Sequence, residues 1–158
     1  MFSVKPIRNP STNVNGFSLI EVMVALFVLS LGLLGMAGLQ LGGMQSTKSA
    51  YSRTQATMIA YDIIDRMRTN TAGRSNYQAI ACTAPPTKPS CIGTSTGCNA
   101  GSLADDDINE WCTSHVNSLP GGTGTVTYAS SVYTIAVGWV EASDANDPNK
   151  SITVHIKF

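Results

Sequence analysis

One stretch limits what this chain can become more than any other. It is Val22 to Leu41, twenty residues whose only polar side chains are Ser30 and Gln40. As a helix rising ~1.5 Å per residue it reaches about 30 Å, the thickness of a bilayer's hydrocarbon core. A helix apolar on every side must be covered on every side, by lipid or by other apolar helices. One carboxylate, Glu21, stands where the run begins, five residues after Gly16. A charge there is expensive in lipid, which marks Glu21 as a functional group in need of a partner.

Two plainer readings compete. A cleaved secretory signal also has a basic start, here Lys5 and Arg8, followed by an apolar core. This run is longer than such a core, opens on a glutamate, and has no clean A-x-A site, Met36-Ala37-Gly38 being the nearest imitation. A plain membrane anchor with Glu21 at the headgroup level is the other reading that physics alone leaves open.

The segment Gly16-Phe17-Ser18-Leu19-Ile20-Glu21-Val22-Met23-Val24-Ala25-Leu26 resembles the class III signal of type IV prepilins and of type II secretion pseudopilins. The resemblance implies that a prepilin peptidase cuts between Gly16 and Phe17 on the cytoplasmic side and methylates the new N-terminus at Phe17. It implies a role for Glu21 in subunit assembly, paired with the Phe17 amine of a neighbouring subunit. It also implies a pilin-like α+β fold, a long N-terminal hydrophobic helix on a small antiparallel sheet, with a structural and not an enzymatic role. The implied partners are the peptidase, other minor pilins, the major pilin, a tip adhesin and the inner membrane. The runs Val28–Gln40, Asp107–Trp111 and Leu119–Gly122 further resemble one branch of the minor pilins. In major pilins a proline commonly interrupts the helix where Gly38 stands here.

Charge says little against this. The formal net charge is zero, so no basic footprint for nucleic acid is present. Removing Met1–Gly16 would leave eight basic and ten acidic residues, about −2. Lys5 and Arg8 favour a cytoplasmic N-terminus, which puts the bulk of the chain in the periplasm and later in a filament. No nucleophile–base pair, phosphate loop or metal-ligand cluster is recognisable, so no metal or cofactor is expected, and a membrane-tethered enzyme is the weakest function class. A minor pseudopilin of type II secretion, which shares the N-terminal signature, is the nearest competitor to a minor pilin. His115 and His155 read as surface or packing histidines.

Four cysteines, Cys82, Cys91, Cys98 and Cys112, lie outside the apolar run. An even count in an extracytoplasmic domain suggests disulfides, whereas a zinc site would show paired short spacings that are missing. Three pairings are open. Ease of loop closure favours Cys82–Cys91 with Cys98–Cys112.

Along the chain, residues 1–16 form a leader, 17–70 one long helix with its span at about 22–41, and 71–158 an extracytoplasmic globular part. Ala56, Ile59, Ala60, Ile63 and Met67 fall on one face of the helix, while Asp62 and Arg66 lie four apart elsewhere. Asn70 and Gly73 are its stop signals. Gly38-x-x-x-Gly42 is a small-residue motif of helix contacts in membranes. Residues 71–101 are loop-rich, with Pro85, Pro86 and Pro89 barring a helix. Ser102 three before Asp105 predicts a capping box, with Asp105, Asp106 and Asp107 in the first turn of a short helix ending near Asn117. Its apolar face is Ile108, Trp111, Cys112 and Val116. A calcium loop is the sharper reading of three aspartates, but the spaced ligands and central glycine are missing. Alternation then predicts strands at Thr125–Ala129, around Tyr133–Trp139 and around Ile152–Phe158, with Ser143–Lys150 as an exposed hairpin loop.

Overall fold

The structure is a computed structural model and describes residues 16–91 and 93–158. Its fold is α+β. Helix α1 (Leu19–Thr69) is followed by a short 3-10 turn (Arg74–Tyr77), strand β1 (Ala79–Ala81) and helix α2 (Ala100–Glu110). A π-turn (Trp111–His115) and a 3-10 turn (Val116–Ser118) lead into β2 (Thr123–Ala129), β3 (Val132–Val140) and β4 (Asn149–Ile156). The chain divides into two compact units between Gly42 and Gly43. In the first unit, every residue of α1 is exposed.

The second unit holds the core. The four strands form one antiparallel sheet in the order β1-β2-β3-β4. Period-two alternation turns Val126, Tyr133, Ile135, Val137 and Trp139 inward, and all are buried. They share one core with Ala56, Ile59, Ala60, Ile63, Ile64 and Met67 of α1 and with Ile108, Trp111, Cys112 and Val116 after it. The 3.6-residue repeat of α1 thus places one stripe on the sheet and leaves Tyr51, Met58 and Tyr61 outside. β2 and β3 turn at Ser130 and Ser131, both at positive φ, 50° and 63°, as a two-residue hairpin of the primed kind requires.

α1 ends by a specific device. The buried Asn70 accepts the Gly73 N–H on Oδ1 at 3.1 Å and donates to the Ala100 carbonyl at 2.8 Å. Gly73 must be glycine, since a Cβ there would stand 2.3 Å from that same carbonyl oxygen.

Three expectations need correction. First, the disulfides are Cys82–Cys112 and Cys91–Cys98, not Cys82–Cys91 with Cys98–Cys112. β1 runs beside β2, and Cys82 N–H donates to the Gly124 carbonyl at 2.9 Å. Gly124 is an inward position without a side chain, and a Cβ there would lie 2.9 Å from Cys82 Sγ and from the Trp111 ring. That gap is what lets Cys82 reach Cys112. Second, the cap of α2 is Asn99, whose side chain accepts the Ser102 N–H at 2.8 Å, so Ser102 is capped instead of capping. Asp105, Asp106 and Asp107 therefore fall after the first turn, and the α-helix stops at Glu110. Third, β1 lies inside the stretch read as loop.

The two disulfides differ in what they hold. Cys82–Cys112 spans 30 residues and Cys112 is buried; Cys91–Cys98 spans 7 in a half-exposed loop. Loop-closure entropy alone makes the longer link worth about 1 kcal/mol more, and burial adds to that. Replacing Cys82 and Cys112 by alanine should lower the urea midpoint clearly more than replacing Cys91 and Cys98 by serine. Equal midpoints would show that the buried bridge adds nothing beyond packing.

Candidate functional site

Two places stand out, one in each unit. The first is the start of α1. Gly16 and Phe17 precede the helix, and Phe17 is 84% exposed. Glu21 lies in the first turn, where the N-terminal end of the helix dipole favours a carboxylate, and its N–H bonds the Ser18 carbonyl at 3.0 Å. Gly16, Gly38 and Gly42 have nothing within 4 Å of where a Cβ would be. No contact among the described residues therefore demands glycine at these positions. The helix is long and apolar enough to cross a membrane, and its most apolar window has no buried residue. The rest of the segment read from the sequence as a leader, Met1 to Asn15, lies outside the described residues.

The second place is a polar cluster beside the core. Arg66 is its centre. Nε donates to Asp62 Oδ2 at 3.0 Å, and Nη1 donates to Asp107 Oδ1 at 3.2 Å and to Glu110 Oε2 at 2.8 Å. His115 Nδ1 lies 3.0 Å from the same Asp62 oxygen. Tyr77 donates to the other oxygen of Asp107 and accepts from Asn70 Nδ2 at 3.2 Å. Burial works to lower the pKa of Arg66. The hydrogen bond to Glu110 and the charges of Asp62, Glu110 and Asp107 outweigh it, so the guanidinium holds its proton more tightly than usual. Burial, then the bond to Asp107, pushes the Tyr77 phenol up and keeps it neutral. The Arg66 hydrogen bond and charge hold Glu110 below its ordinary value. One cation thus gathers three carboxylates and ties the last turns of α1 to α2.

The Asp62–Arg66 spacing was visible in the sequence. Asp107 and Glu110, 41 and 44 residues from Arg66, were not, and nor was His115, which reaches Asp62 across 53. Nor was the link from Trp111, whose indole N–H donates to the Ile59 carbonyl at 2.8 Å. The aspartates do not converge on one point. Asp107 faces Arg66 and Tyr77, Asp106 lies 3.8 Å from Lys88, and Asp105 is exposed.

An α+β fold built from a long apolar N-terminal helix and a four-stranded antiparallel sheet is that of the pilins. Residues 11–37 match the prokaryotic N-terminal methylation motif, and residues 38–109 match the family described as type IV pilin Tt1218 (Tt1218-like). The two matches support placement in the type IV pilin family, with a pilin or pseudopilin role, membrane anchoring through the apolar helix and processing by a prepilin peptidase. No curated protein and no solved structure gave a match.

The cluster makes two expectations measurable. Arg66→Met leaves three carboxylates facing one another in a half-buried place and should cost about 3 kcal/mol in urea unfolding. Glu110 has a lowered folded pKa, so its stabilisation is complete above its ordinary 4.5 and fades as pH falls through the folded value. Glu110→Gln should therefore lower the melting temperature at neutral pH, with the gap to wild type closing on acidification. A gap that widens in acid would assign the stabilisation elsewhere.

Proposed function

We propose that this chain is a minor subunit of a type IV pilus, of the kind called PilV or type IV pilus modification protein. It would act in assembly, in a priming or tip complex with other minor pilins, the major pilin and an adhesin, and so in adhesion and twitching. The observation that carries the reading is the surface of α1 before Gly42, apolar all round, uncovered, and bearing one charge at its first turn. Such a surface suits the dry centre of a filament as well as it suits lipid. There Glu21 needs a positive partner, and the methylated amine of Phe17 on a neighbouring subunit keeps its charge and can supply one. Gly38 and Gly42 would serve close helix approach.

In this reading residues 1–16 are removed, 17–70 anchor and assemble, and 71–158 form the periplasmic part. No catalytic role is proposed for any residue. The methylation motif is equally compatible with a minor pseudopilin of type II secretion. Loss of pili on deletion, with secretion intact, would separate the two.

The test has two arms. Mass spectrometry of the mature protein should find a methylated N-terminus at Phe17, and Gly16→Val should leave full-length precursor in the membrane. A start elsewhere would sink the prepilin assignment. Glu21→Ala should be cut and stable yet recovered in sheared pili at well below the wild-type amount. Recovery at the wild-type level would leave Glu21 as an anchor residue only.

A further inference from the structure

One cavity is ringed by polar side chains that the chain leaves without partners. It belongs to the second unit, has a volume of about 410 Å³, and opens between α1 and the end of the sheet where β3 passes to β4. α1 contributes Ser49 and Arg53, one turn apart, and the sheet contributes Trp139, Asn149 and Ser151. The side chains of Ser49, Arg53, Asn149 and Ser151 form no hydrogen bond among the described residues. Trp139 is 5% exposed, and its indole N–H has no partner among them either. A buried donor left unpaired is destabilising, and an acceptor brought beside it lowers that cost.

Charge narrows what can enter. Arg53 and Lys150 line this cavity together with Glu141 and Asp147. Lys150 is already held by Asp147 at 3.0 Å and by Asp144 at 2.8 Å. Arg53 forms no ion pair among the described residues. The Glu141 carboxylate meets the Ser143 hydroxyl at 3.5 Å and no cation. Arg53 and Glu141 thus face one space without meeting across it. An anion drawn to Arg53 would be opposed by Glu141 and Asp147, and a cation drawn to Glu141 would be opposed by Arg53 and Lys150. A hydroxyl group suits both sides, because one oxygen can accept from a guanidinium and donate to a carboxylate. Two adjacent hydroxyls also match the two-pronged donor fork of an arginine.

We propose that this cavity binds a neutral sugar through a pair of adjacent hydroxyls held between Arg53 and Glu141. Ser49, Asn149 and Ser151 would serve the remaining hydroxyls, beside Trp139. A volume of about 410 Å³ lies within the ~300–1,000 Å³ range of small-molecule sites and leaves room for a sugar ring. A neutral ligand brings no charge that must be stripped of water. The site uses no residue before Gly43 and so does not depend on the filament role proposed above.

The experiment uses the full chain in detergent micelles and follows the two indole N–H signals by NMR. Trp111 is fully buried and bonded to the Ile59 carbonyl, so it serves as the internal control. The probes are the methyl glycosides of glucose, galactose and mannose, whose adjacent hydroxyls differ in relative orientation. At least one should shift the Trp139 signal saturably, with a dissociation constant of about 1–10 mM, while Trp111 stays put. Arg53→Gln and Glu141→Gln should each weaken that sugar roughly threefold to tenfold. Raising sodium chloride to about 0.5 M should leave the affinity unchanged, since the ligand is neutral. No saturable Trp139 shift with any of the three at about 100 mM would overturn the proposal. So would equal affinity for cyclohexanol, which has one hydroxyl and no neighbour to it. Tighter binding of free alanine than of any sugar, lost at high salt, would assign the cavity to zwitterions instead.

Discussion

The second unit depends on the burial of six side chains of one helix, Ala56, Ile59, Ala60, Ile63, Ile64 and Met67, in one core with the sheet. A four-stranded sheet has one face to hide and no second sheet to hide it against. The helix stripe supplies that layer. Each large apolar side chain so buried contributes about 1.5–3 kcal/mol, and the two alanines leave room for close approach. Trp111 extends the layer from the other side. It is fully buried, and its N–H bonds a carbonyl of α1 at Ile59, so the largest fully buried side chain also fixes where the π-turn sits.

The polar cluster belongs to the margin of this core and does a different job. Exposed ion pairs are worth little, but Arg66 is 19% exposed and meets Asp62, Asp107 and Glu110 together. A half-buried cation with three partners has few other places to go. It fixes the angle at which α2 meets α1, while Asn70 and Gly73 fix the turn that leaves α1 and Cys82–Cys112 fixes the return to the sheet. All of these lie in the second unit, and none involves a residue before Gly43.

How legible was this in the sequence? Local periodicity gave α1, its buried stripe and three of the four strands, because those signals repeat over several turns or residues. β1 did not show, since Ala79-Ile80-Ala81 is too short to display a period and prolines follow it at 85 and 86. The disulfide pairing did not show either. Loop-closure entropy separates the alternatives by only ~0.6 kcal/mol per doubling of loop length, and any tertiary contact outweighs that. Here the deciding contact is the space over Gly124. Asn99 and Ser102 are both good caps three residues apart, so local sequence does not choose between them; in the structure Asn99 takes the Ser102 N–H. In the cluster around Arg66 only the i,i+4 partner was readable, because the others arrive from more than forty residues away.

The start of α1 stands apart, since it lies in the first unit and the helix there was read from local sequence alone. A helix glycine gives up about 1 kcal/mol against alanine, and Gly32, Gly35, Gly38, Gly42 and Gly43 cluster within twelve residues. None has a neighbour within 4 Å that a Cβ would meet, so no contact among the described residues offsets the loss. Ser30 satisfies its own hydroxyl on the Phe27 carbonyl at 2.7 Å and asks nothing of its surroundings. Glu21 is different. It is the one charged side chain between Gly16 and Gly42, and no side-chain partner reaches it within the described residues. The first unit therefore makes two demands on whatever surrounds it, an apolar medium that tolerates close approach at glycines and one positive charge at the level of the first turn. Lipid tails meet the first demand and not the second; under the processing proposed above, a bundle of like helices, each with a charged amine at Phe17 four residues before its own glutamate, would meet both.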